Sequence, residues 1–369
     1  MTLFSSFSLG TLTLPNRVVM APMTRCRAID NIPGALMAEY YAQRAGAGLI
    51  ITEGTSPSPN GLGYARIPGA YSEAQLAGWR LVTDAVHQRG GRIFLQLMHS
   101  GRISHPINMP DGARVIAPSP VTAAGEMFTD SQGPLPHPEP VAMTLEDIHA
   151  TQQEYADAAA KAVDAGFDGV ELHGANGYLP EQFLNPDTNR RSDDYGGGVT
   201  QRCRFMIETA AAIAEAIGAG RCGVRLSPYG TFNDMALYDE IDATYLQLAE
   251  ALGALKPAYL HIVDMAGDGV PAALKEGIKA SSGSPLILNG GFTAEAAEAA
   301  IDAIIADDGV TAGFGSFQAF PTAAPHTHLF LTGGAIGIGL PLAEADPDTL
   351  YTPDAEGYTD YPPAGPAGA

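Results

Sequence analysis

Eight short apolar runs alternating with amphipathic stretches predict a (β/α)8 TIM barrel. The runs are almost unbroken in Val, Ile and Leu, as suits strands of a parallel sheet covered on both faces. The residues able to do chemistry cluster just past the C-terminal ends of those runs, which is the rim of a barrel. A doubly wound open sheet shares the alternation, but the count of runs and the clustering favour closure. The 369 residues are read as one barrel domain over 1–351 and a Pro/Gly-rich C-terminal tail over 352–369.

The strand runs are 17–21, 49–53, 92–99, 169–173, 223–227, 259–263, 285–289 and 309–314. Helical periodicity covers 73–88, 145–165, 201–217, 241–252 and 294–305. Ser72 before Glu73 is a helix start signal, as is Thr144 with Asp147 three residues on. Residues 100–143 lack helical period and are rich in Pro and Gly, so they form a lid insertion after the third strand. From 309 to 343 no Asp, Glu, Lys or Arg occurs. That predicts a buried eighth strand and a covered apolar connection, whose 329–342 part is too short and glycine-rich to span a bilayer.

With 46% hydrophobic and 17% charged residues the composition is globular. Twenty Lys and Arg against 41 Asp and Glu give a formal charge of −21, which argues against nucleic acid or an anionic membrane as partner. Cys26, Cys203 and Cys222 are too few for a disulfide framework and fit free thiols. The first residues lack a basic start and an unbroken apolar core, so no signal peptide is read. A cytoplasmic protein, monomer or homodimer, is expected.

The segment 169–197 is the richest chemically. His173 ends a strand, and Asn176 and Tyr178 follow on the βα loop. Two neutral donors on one carbonyl oxygen, with a phenol nearby, suit stabilising an oxyanion and protonating the adjacent carbon. A strand cap at His173 and a turn at Asn176 explain the spacing equally well. Other signals point elsewhere. Gly267-x-Gly269-x-x-Ala272 follows the sixth strand and not the first, with no ribose-binding acid at the right distance, so it is a weak dinucleotide fingerprint. His326, His328 and His99 are read as packed or solvated, with no metal site, and Asp193–Asp194 as a solvated loop.

Several long segments in order carry a resemblance: NRVVMAPMTRCRA from Asn16, MAEYYAQRAGAGLIITEGT from Met37, LQLMHSGRISHP from Leu95, ELHGANGYLPEQFLNPDTNRRSDDYGG from Glu171, GVRLSPYGTF from Gly223 and AEGYTDYP from Ala355. In these the chain resembles the Old Yellow Enzyme family of FMN-dependent ene-reductases, from about Leu3 to Phe314 and again from Pro341 to Pro362. The resemblance implies a barrel with FMN at the strand C-termini and NADPH or NADH as reductant. It implies small activated alkenes, α,β-unsaturated carbonyl or nitro compounds, reduced by ping-pong hydride transfer. Nitroester or nitroaromatic reduction on the same fold is the alternative, as is a flavin-poor, non-catalytic barrel.

Carried over by position, the resemblance implies that Pro22, Met23, Thr24 and Gly54 contact the flavin, with the Thr24 hydroxyl donating to O4. Gln96 would bind the pyrimidine edge. Arg225 would stand near N1 and O2, where a fixed cation favours the anionic reduced ring. His173 and Asn176 would grip the substrate oxygen and Tyr178 would protonate the α-carbon. Tyr64 and Tyr351 would line the substrate pocket. Met98 stands where Trp is common and predicts a roomier pocket. Asn289 would also contact the cofactor. Where the family pattern has a phosphate-binding Arg, this chain has Ser316. The phosphate would then rely on the amides of Gly290, Gly291 and Gly315 and the Ser316 hydroxyl.

Overall fold

The computed structural model describes residues 2–264, 269–290, 296–297, 299, 310–314, 317–319, 329–331, 334–336, 349 and 351–360. Eight parallel strands close a barrel in chain order: β1 (Val18–Met20), β2 (Leu49–Ile51), β3 (Ile93–Leu97), β4 (Gly169–Gly174), β5 (Cys222–Leu226), β6 (Tyr259–Val263), β7 (Leu286–Asn289) and β8 (Val310–Phe314). Each lies within one residue of a predicted run, or inside it.

Alternation along the strands divides the core in two. One set, including Val18, Ile50, Leu95, Leu172, Val224 and Ile262, packs outward with the helices. The other, including Val19, Ile51, Phe94, Tyr259 and Ile287, forms a separate cluster with Phe7, Leu9 and Leu14. Those last three belong to an N-terminal hairpin, Phe7–Leu9 paired with Leu12–Leu14, which closes one end of the barrel with apolar side chains. Each such side chain contributes roughly 1.5–3 kcal/mol on burial. The filled end leaves the strand C-termini as the mouth.

Helix Glu73–Gln88 begins at Ser72 and helix Leu145–Asp164 at Thr144, each with a complete capping box. Helices Val199–Ile217 and Ile241–Ala254 match expectation, while Ala35–Ala42, Leu179–Leu184 and Ala272–Ser282 are additional. The predicted helix over 294–305 lies almost entirely outside the described residues. Beyond β8 the backbone forms an antiparallel three-stranded sheet, Phe317–Ala319, Leu329–Leu331 and Gly334–Ile336.

The 100–143 insertion carries a hairpin, Glu126–Thr129 with Gly133–Pro136, and a short parallel pair, Ile116–Ala117 with Val141–Ala142. Its Ile103, Ala123 and Met127 pack in one buried cluster with Met98 and Tyr178, so it lies over the barrel mouth.

Two expectations fail. Residues 351–360 are no loose tail: Tyr358 is fully buried and stacks on Tyr40 at 3.9 Å, and Arg27 donates to the carbonyls of Thr349, Asp354 and Glu356. The Pro/Gly-rich composition hid an anchor made of two arginines and an aromatic stack; residues 361–369 lie outside the described residues. Nor is Asp193 merely solvated. It accepts two hydrogen bonds from Arg191, whose Nη1 holds the carbonyls of Pro118 and Met143 and so ties the insertion down.

Candidate active site

Strand register places polar residues side by side inside the C-terminal half of the barrel. Gln96 is paired in register with Glu171, His173 with Arg225, and Arg225 with His261. Glu171 is fully buried, accepts from Gln96 Nε2 at 2.8 Å and pairs with His261 Nδ1 at 2.8 Å. The latter contact crosses β5 at Gly223, where a Cβ would stand 2.3 Å from the Tyr259 ring. Burial pushes the Glu171 carboxyl up, but His261, Arg225 and Gln96 outweigh it and hold the group below the ordinary carboxylate range.

Arg225 is 5% exposed and donates from Nη2 to Asn289 Oδ1 at 2.7 Å, while its Nε meets no partner among the described residues. A buried cation with an unfilled donor fits an electron-rich ligand. Gly54 abuts Met98, whose Sδ would be 2.4 Å from an added Cβ, and Gly290 has no room for one beside the Asp264 carbonyl. Pro22 is buried, and Met23 and Thr24 are half-buried, in the segment leaving β1. Thr24, Gln96 and Arg225 thus stand at the C-terminal ends of neighbouring or facing strands.

His173 stands next to last in β4 at 3% exposure. Its Nδ1 accepts the Ala175 N–H at 3.3 Å, so the neutral ring carries its proton on Nε2 and can donate it. Burial, then the Arg225 and His261 charges, push the imidazole well below its usual range. Asn176 and Gly177 take left-handed φ values of 57° and 74°. An added Cβ at Gly177 would collide with Asn233 at 2.8 Å, so the turn requires glycine there. Asn176 N donates to Ser227 Oγ at 2.7 Å and its carbonyl accepts from Asn233 Nδ2 at 2.8 Å.

Tyr178 opens helix Leu179–Leu184, with its ring at 80° to His173 and centroids 4.7 Å apart. Its hydroxyl donates to Tyr64 Oη at 2.9 Å. Burial and Tyr64 push the Tyr178 phenol well up, so it keeps its proton at neutral pH. Met98 is 1% exposed beside them, whereas Tyr351 is 57% exposed. The Tyr351 carbonyl accepts from Arg66 Nη2 at 2.8 Å. Gly291, Gly315, Ser316, His326, His328 and Gly267 lie outside the described residues.

The sequence reading missed Glu171, His261, Glu181 and Arg66. The signal for the first existed: Glu171 and His173 alternate in an otherwise apolar strand and share one face. The arrangement can hold an electron-rich group at Arg225, offer the His173 Nε2–H as a neutral donor and supply one phenolic proton.

Residues 2–311 match the NADH:flavin oxidoreductase / NADH oxidase family, and the chain belongs to it. The chain is 40% identical over 358 residues to a probable flavin mononucleotide-dependent alkene reductase of Leishmania infantum, covering 96% of this chain and 95% of that protein. It is 36% identical to 12-oxophytodienoate reductase 7 of Oryza sativa subsp. japonica, covering 98% and 94%. Among solved structures, morphinone reductase in complex with tetrahydroNAD superposes with a TM-score of 0.86 at 39% identity, covering 98% of this chain and 97% of that one. The Old Yellow Enzyme homologue from Zymomonas mobilis gives 0.86 at 36% identity, covering 98% and 99%.

Proposed function

We propose that the protein is an FMN-dependent ene-reductase that uses NADPH or NADH to reduce the activated C=C bond of α,β-unsaturated carbonyl or nitro compounds. The observation that carries this reading is the meeting of a neutral imidazole (His173) and a protonated phenol (Tyr178) beside the buried cation Arg225. Relatives named as an FMN-dependent alkene reductase and a 12-oxophytodienoate reductase support it.

Pro22, Met23, Thr24, Gly54, Gln96, Arg225, Asn289 and Gly290 would hold the cofactor, with Gly291, Gly315 and Ser316 expected at its phosphate. When bound, FMN supplies a hydride store that separates oxidation of the nicotinamide from reduction of the alkene. His173 Nε2–H and the Asn176 amide donate to the substrate oxygen and draw electron density from the double bond. Tyr178 delivers its hydroxyl proton to the α-carbon, and the Tyr64 hydroxyl orients that proton beforehand. Tyr64, Met98 and Tyr351 bound the substrate, under the insertion that shields the mouth from water. Three buried free thiols support a cytoplasmic setting, and among the described residues no helix is long and apolar enough to cross a membrane.

Reconstitution with FMN, anaerobic titration with NADPH or NADH, and then addition of 2-cyclohexenone test the reading. It requires bleaching of the flavin band and recovery with one cyclohexanone formed per flavin. A flavin that is not bound, or not reoxidised by the enone, refutes it.

A further inference from the structure

The loop bearing Asn176 and Tyr178 hangs on a carboxylate that none of the roles above employs. Glu181, 4% exposed on helix Leu179–Leu184, accepts the Gly177 N–H at Oε2 (2.6 Å) and the hydroxyls of Ser227 and Tyr245 at Oε1 (both 2.7 Å). The Ser227 hydroxyl in turn accepts the Asn176 N–H at 2.7 Å. Both amides of the left-handed Asn176–Gly177 turn therefore end on one buried side chain, one directly and one through Ser227.

We propose that Glu181 is a positioning residue, whose carboxylate fixes the Asn176–Gly177 turn and thereby aims the Asn176 amide and the Tyr178 hydroxyl at the substrate. The inference rests on the roles proposed for Asn176 and Tyr178. Three donors converge on Glu181. Gln182 Nε2 and Asn233 Nδ2 hold the carbonyls of Gly177 and Asn176, but the turn's two N–H groups are held by Glu181 directly and through Ser227. A carboxylate accepts all three hydrogen bonds; a carboxylic acid must turn one oxygen into a donor.

The groups facing Glu181 are few. Tyr245 comes from helix Ile241–Ala254 and Tyr238 from the loop before it. Behind these two tyrosines, on helix Val199–Ile217, lie Cys203 and Arg202, the latter engaged by Glu240 and the Leu184 carbonyl. No cation pairs directly with Glu181 among the described residues, and burial pushes its carboxyl up to about 7.

The test compares Glu181→Gln, Ser227→Ala and Asn176→Ala in the FMN-loaded protein, measuring 2-cyclohexenone kinetics from pH 5.5 to 8.5, flavin content and thermal midpoint. In the wild type kcat/KM falls as pH drops through about 7, because protonation removes an acceptor. In Glu181→Gln that acid limb disappears and kcat/KM at pH 8 is about tenfold lower, with flavin content unchanged. Ser227→Ala lowers kcat/KM alone but costs less on top of Asn176→Ala, since part of its effect runs through the aim of the Asn176 side chain. An acid limb that persists in Glu181→Gln, or a Ser227→Ala loss that stays fully additive with Asn176→Ala, overturns the inference. Should Asn176→Ala itself leave activity intact, the oxygen-binding role proposed for Asn176 fails instead, which separates the two.

Discussion

The imidazole of His173 and the phenol of Tyr178 stand edge to face, with ring centroids 4.7 Å apart, and the phenol's hydroxyl is held by Tyr64 at 2.9 Å. The donor proposed to bind the substrate oxygen and the proposed proton donor thus share one wall of the barrel mouth. Removing the hydroxyl alone separates their tasks. Tyr178→Phe is expected to slow turnover of 2-cyclohexenone about a hundredfold, the range for loss of a general acid. Bleaching of the flavin by NADPH should change less than threefold. Stopped-flow traces of the two half-reactions check this; equal slowing of both contradicts it.

Met98 is buried against Gly54, Tyr178 and the insertion's Ile103 and Met127. Met98→Trp adds a large rigid ring where a flexible thioether now yields. KM for a bulky β-aryl enone should rise at least about tenfold relative to 2-cyclohexenone, since overpacking costs roughly 1–3 kcal/mol. Unchanged KM values for both substrates would show that Met98 does not bound the pocket.

Arg27 is 4% exposed and donates to the carbonyls of Arg25, Thr349, Asp354 and Glu356 and to the Thr352 hydroxyl. Arg27→Ala strands the buried carbonyls of Arg25 and Thr349 at about 1–3 kcal/mol each. A thermal midpoint lower by several degrees and new protease cleavage within 349–360 are expected. Arg27→Lys recovers only part, because an ammonium lacks the planar fork. A midpoint unchanged in Arg27→Ala contradicts this anchoring.

Glu53 is 1% exposed, accepts from Arg25 N and from the Tyr41 hydroxyl, and is pushed up by burial to about 7. Its value of 4.5 in the unfolded chain lies below this, so between 4.5 and about 7 the folded state holds a proton that the unfolded state releases. Glu53 therefore favours folding below that window, and the benefit is lost as pH rises through about 7. Glu53→Gln escapes the loss. The thermal midpoint of Glu53→Gln minus that of wild type should grow by at least about 2 °C from pH 5 to 8; a flat difference refutes it.

Much of the barrel is legible in the sequence because each parallel strand, covered on both sides, must be an apolar run, and because Ser72 and Thr144 announce their helices chemically. Helix Ala35–Ala42 escapes because it is apolar nearly all round and shows no period. Helix Ala272–Ser282 carries Gly277, which reads as a breaker but faces the Leu246 side chain, where a Cβ would be only 2.7 Å away. In the site, His173, Asn176 and Tyr178 are adjacent in sequence and so are found together. Glu171 with His261, or Glu181 with Ser227, meet only through strand order and a turn's hydrogen bonds, which local pattern does not encode. The C-terminal anchor hides for the same reason: Arg25 reaches Gly357 from the opposite end of the chain.

The most direct test measures reoxidation of the reduced, FMN-loaded protein by 2-cyclohexenone in a His173→Ala, Asn176→Ala double variant. Loss of both oxygen-binding donors should slow that step by at least about a hundredfold, with flavin still bound and still reduced by NADPH or NADH. Reoxidation at the wild-type rate would mean that the substrate oxygen is held elsewhere, and the assignment of this barrel mouth would be wrong.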